Sequence, residues 1–97
     1  MKHELKLQQE LIDALEKVAH LARTAEPAKT GEAIEIAKTF IKNLKGKSHH
    51  VPEASLSQLE QELSTWQAKL GVILKEPVGR EGMAKHAHHW MEELRKC

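Results

Sequence analysis

Aromatic side chains are nearly missing from this 97-residue chain: Phe40, Trp66 and Trp90 are the whole set, and there is no tyrosine. A sheet protein would draw on more aromatic and β-branched residues than this. Cysteine is equally scarce. Cys97 stands alone, so no disulfide can form within the chain, and a free thiol in a reducing cytoplasm is the expected state. Neither sign of charge prevails: fifteen Lys and Arg face fourteen Asp and Glu, and acids and bases alternate along every segment. Nucleic-acid binding needs clustered positive charge to displace counterions, so no nucleic-acid partner is expected. No apolar run approaches the ~20 residues that span a bilayer, and the charged opening Met1-Lys2-His3-Glu4-Leu5 is unlike a signal peptide. A cytoplasmic protein without membrane contact is the expectation. Internal repeats and low-complexity tracts are lacking too.

What remains is a chain with 40% hydrophobic and 30% charged residues, the balance of a small globular protein. Its length suits one domain over residues 1–97. Leu7, Leu11, Ala14, Leu15, Val18, Leu21 and Ala22 recur at three- and four-residue steps, which predicts a helix over 4–24. Glu26-Pro27 interrupts it, because proline lacks the N–H that would continue the ladder. Thr30 is a suitable cap for a second helix over 31–45, with Gly46 in the helix-ending position. Ala33, Ile34, Ile36, Ala37, Phe40, Ile41 and Leu44 give that helix a broad apolar face. Ser55-Leu56-Ser57-Gln58 reads as a capping box before Leu56, Leu59, Leu63, Trp66, Leu70 and Ile73, predicting a helix over 56–75. After Glu76-Pro77-Val78-Gly79, the stripe Met83, Ala87, Trp90, Met91, Leu94 predicts a last helix over 80–96. Short connections between helices of similar length favour antiparallel neighbours. The fold expected is therefore an all-α antiparallel four-helix bundle.

Chemistry is harder to find. Gly46-Lys47-Ser48 has the tail of a phosphate-binding loop, but Ile41 stands where the earlier glycine belongs and a helix precedes it. Glu92 and Glu93 are consecutive and diverge around their helix, and no sequence-evident base accompanies Cys97. An enzyme is not expected.

Seven histidines are the unusual feature. His86, His88 and His89 crowd the last helix, His49 and His50 are adjacent, and His3 and His20 stand apart. Imidazole is a common ligand of transition metals. His86, His89 and Glu93 share one helical ridge and are the candidate metal ligands, with His88 on the other side of the apolar stripe. The bland alternative is that all are solvated and that the protein holds no cofactor. His20-Leu21-Ala22-Arg23 is similar in part to histidine-phosphotransfer domains of bacterial phosphorelays, whose exposed His is followed by a basic residue and then glycine. Here Thr24 replaces the glycine.

Protein–protein contact is the leading expectation, with a homodimer the commonest form of such an assembly. Leu5, Ile12 and Val72 fall off their stripes, and Ile34 and Ile36 belong to the overly broad face of the second helix. Those five are the candidate interaction residues, since apolar surface that one small bundle leaves uncovered marks contact with another chain.

Overall fold

The computed structural model describes residues 2–45 and 51–96, with the side chains of residues 2–5 left out of the description. The expectations that rest on Gly46, Lys47, Ser48, His49, His50 and Cys97, and on the side chains of His3 and Leu5, lie outside the described residues. Helices hold 90% of what is described and no strand occurs there, so the chain is all-α. The elements are α1 (Lys2–Arg23), α2 (Pro27–Lys45), α3 (Glu53–Ala68), a single turn α4 (Leu70–Ile73) and α5 (Pro77–Lys96). The molecule measures 41 × 20 × 20 Å.

All four expected helices begin earlier than the sequence suggests, and at α2 and α5 proline is the reason. Pro27 and Pro77 each occupy the first helical position, where the missing N–H has no intrahelical partner to lose. Thr30 consequently is not a cap. It lies inside α2, fully buried, and its hydroxyl donates to the Glu26 carbonyl at 2.7 Å, alongside its own N–H at 2.9 Å. The third helix likewise starts at Glu53 behind Pro52, which puts Ser55 within its first turn instead of at a capping box.

The end of α1 is a Schellman turn. The Glu26 N–H reaches the Leu21 carbonyl at 3.4 Å and the Ala25 N–H reaches the Ala22 carbonyl at 3.1 Å. Ala25 sits in the left-handed region with φ 56°, a position where glycine would be free of Cβ crowding. The helix expected over 56–75 is broken. Lys69 leaves helical geometry (φ −110°, ψ 16°), and the chain resumes as α4. That bend lets Leu70 and Leu74 join the core over α2 and α5, with Leu70 packed near Gly31. A tight corner follows. A Cβ on Gly79 would stand 2.1 Å from the Ile73 carbonyl oxygen, so only glycine fits there. Arg80 donates to the Leu74 carbonyl at 2.9 Å and closes the same corner.

One connected apolar core runs through all five helices. α1 contributes Leu7, Leu11, Ile12, Ala14, Leu15, Val18, Ala19, Leu21 and Ala22, a buried arc wide enough to face two neighbours. Those neighbours are α2 and α5, which α1 approaches closely. The small residues Ala33 and Ala37 on α2, and Ala84 and Ala87 on α5, are all buried, and small contact residues bring helix axes nearer. α3 buries Leu56, Leu59, Leu63 and Trp66, has α2 as its nearest long neighbour, and stands further off than α1 does.

Polar contacts fix the pairing of ends. Gln8, buried near the start of α1, donates to the carbonyl of Leu94 in the last turn of α5, an oxygen that has no partner within its own helix. Arg23, at the end of α1, pairs with Glu81 near the start of α5 at 3.3 Å. Lys45 meets Glu60 at 2.7 Å, and Lys38 and Glu35 both bond Gln67, which binds the end of α2 to the middle of α3 and the middle of α2 to the end of α3.

Candidate functional site

The surface between α3 and α5 gathers most of the polar side chains that the sequence points to. Trp90 is buried on α5, and a buried indole N–H requires an acceptor. Glu62 supplies it: its Oε2 accepts from Trp90 Nε1 at 3.1 Å across the gap between the helices. The other carboxylate oxygen, Oε1, lies 3.4 Å from Nδ1 of His86, one turn earlier on α5. Glu62 thus bridges two α5 residues at i and i+4. It stands beside Leu63 at the edge of the apolar stripe of α3, which leaves it partly shielded while His86 remains in solvent.

His89 is exposed on the next turn and meets Trp90 edge-on, with ring centres 6.3 Å apart. Its Nε2 is 3.9 Å from Glu93 Oε1, and Lys96 reaches the same oxygen at 4.0 Å. His86 and His89 line one shallow hollow with Lys85, of about 330 Å³. His88 lines a neighbouring one with Lys85, His89, Glu92, Glu93 and Lys96. The three residues expected to act together therefore divide: His86 turns to Glu62 and His89 to Glu93. Among the described residues no three His, Cys, Asp or Glu side chains stand together as a ready metal site. Glu62 is the residue that sequence reasoning passed over. Its position at the edge of a stripe was visible, but the register of α3 against α5 was not.

A groove of about 320 Å³ lies beside this cluster, where Val51, Pro52, Ser55 and Gln58 face His89, Trp90, Glu93 and Leu94. A second, of about 380 Å³, separates α1 from α2 and is lined by Lys17, Leu21, Lys29, Glu32, Ala33 and Ile36.

The expected interaction residues also divide. Ile12 and Ile34 are core residues, at 3% and 0% exposure, and so offer nothing to a partner. The reason is that α1 and α2 each pack on two sides, so apolar residues off the main stripe are still covered. Ile36 and Val72 are exposed, at 46% and 76%. Val78, which the sequence places in a turn, is more exposed than either, at 81%. Val72 and Val78 flank the α4–α5 corner.

His20 is exposed in the last turn of α1, and Arg23 beside it is held by Glu81. The hydrogen bond from the Thr24 hydroxyl, and then Lys29, hold the Glu26 carboxyl below the usual carboxylate range. No described helix is long and apolar enough to cross a membrane. Compared with known proteins, the chain matches no family, and no curated protein or solved structure is significantly similar to it.

Proposed function

We propose that this chain is a non-catalytic, cytoplasmic antiparallel four-helix bundle that works through protein–protein contact, its first partner being a second copy of itself. The end-to-end contacts support the arrangement, since Gln8 with Leu94 and Arg23 with Glu81 pair opposite ends of α1 and α5. The break at Lys69 and the turn over residues 74–76 set α4 apart from α3 and α5.

The observation that carries the functional reading is the α4–α5 corner. Val72 and Val78 are two large apolar side chains at 76% and 81% exposure, on either side of a corner where Gly79 packs on the Ile73 carbonyl and Arg80 donates to that of Leu74. Exposed apolar surface fixed in place costs hydration free energy that contact with another chain recovers, at ~25 cal/mol per Å².

Self-association links stability to concentration, because binding between native chains shifts the unfolding equilibrium by mass action. The thermal midpoint should rise across a dilution series from nanomolar to tens of micromolar protein. Replacing Val72 and Val78 by lysine should flatten that dependence without lowering the midpoint of the dilute sample. A midpoint independent of concentration in the parent chain would count against the reading.

A further inference from the structure

We propose that Glu62, His86 and His89 form a binding site for a divalent transition metal of the zinc class, joining α3 to α5. The pair that comes preformed is Glu62 with His86. Ligands bound to zinc at about 2.0–2.1 Å and at tetrahedral angles lie roughly 3.4 Å apart. Glu62 Oε1 and His86 Nδ1 are separated by 3.4 Å across two helices. An ion between them replaces the proton that otherwise joins a carboxylate to an imidazole.

The carboxylate is held from behind. Trp90 Nε1 donates to its other oxygen at 3.1 Å, which fixes the direction in which Oε1 points. Metal-binding carboxylates are commonly oriented in this way by an outer hydrogen bond. Trp90 is itself buried, so this support is part of the core.

His89 supplies the third ligand. It lies three residues beyond His86 on α5, in neighbouring positions on the helix surface, and the two rings line one hollow. His89 leans towards Glu93 with a long 3.9 Å separation, so it must turn to join the other two ligands. Exposed rotamers exchange on the picosecond to nanosecond scale, and the ring reaches the ion by such a change. Water completes the tetrahedron. Lys85 also lines the hollow, and its flexible stem carries the ammonium outward when the ion enters. His88 faces the neighbouring hollow and takes no part.

The test is a calorimetric titration of zinc chloride into the full chain carrying Cys97→Ser, with tryptophan emission followed in parallel. The expected result is about one ion per chain and a change in emission, since Trp90 bonds to a ligand. Glu62→Gln keeps an acceptor for Trp90 and therefore the fold, which circular dichroism verifies. It should weaken zinc binding at least about tenfold, as should His86→Ala and His89→Ala. His88→Ala should bind as the parent does. No zinc binding, an affinity unchanged by Glu62→Gln, or equal small losses in all four variants would overturn the site. Loss confined to His49→Ala or His50→Ala would overturn it as well, by placing the ion elsewhere.

Discussion

Single positions decide more of this fold than its composition suggests. Ala25 holds a left-handed backbone conformation that costs an L-residue roughly 1–2 kcal/mol. Ala25→Gly should therefore raise unfolding free energy by about 0.5–1 kcal/mol in urea denaturation, part of the gain being offset by the looser unfolded chain. The glycines of α5 behave oppositely to each other. Gly82 has open space where a Cβ would go, so Gly82→Ala should stabilise by up to ~1 kcal/mol through helix propensity. Gly79→Ala drives a methyl into the Ile73 carbonyl and should destabilise by more than ~1 kcal/mol, read from the same denaturation midpoint. Trp66 fills the seam between α3 and the rest of the core, and Trp66→Ala should cost roughly 3–5 kcal/mol.

Glu26 gives the residue scale a pH signature. Its carboxyl is held below the ordinary range by Thr24 and Lys29, so the folded chain binds that proton more weakly than the unfolded chain does. Such a group contributes stability above its unfolded pKa, and the contribution is lost as pH falls through the folded value. Glu26→Gln should unfold more readily than the parent near neutrality. The two should converge in acid, below the carboxylate range of about 4. A difference that persists unchanged into acid would exclude Glu26 as the source.

At the scale of elements, four of the five helices were legible because apolar residues recur with the helical period. Their boundaries were less so. Pro27 and Pro77 read equally well as helix breakers and as first helical residues, and only the chain's actual path selects between them. The break at Lys69 carries no proline or glycine at its own position, and nothing local forecasts it. Ile12 and Ile34 show the limit of stripe reasoning. A helix with one neighbour buries one stripe, whereas α1 lies against both α2 and α5 and buries a much wider arc. Glu62 shows the same limit for the site, since its meeting with His86 and Trp90 depends on how α3 is registered against α5. Gln8 is the third case. It is a polar residue at a buried position, and its partner is the Leu94 carbonyl 86 residues away. Gln8→Leu should cost about 1–3 kcal/mol by leaving that carbonyl unsatisfied, as measured by equilibrium unfolding.

At the scale of the molecule, the described apolar residues gather in one core, and three large ones among them stand outside it: Ile36, Val72 and Val78. Isolated exposed apolar residues are ordinary. The placing of Val72 and Val78 on either side of one corner is the less ordinary feature, and it is the surface that the proposed self-association would use. The proposed metal site uses Glu62, His86 and His89 and neither valine, so separate variants test the two readings. Zinc binding with no dimer would leave the corner without its partner, and a dimer indifferent to zinc would leave the corner reading intact.

Sedimentation equilibrium of the Cys97→Ser chain, at micromolar concentrations and without added metal, tests the central claim most directly. The serine removes any terminal disulfide that would link two chains covalently. The mass should fit a reversible dimer of the 11.0 kDa chain, and Val72→Lys with Val78→Lys should return it to the monomer. A monomer mass across the whole range in the parent chain would contradict the account.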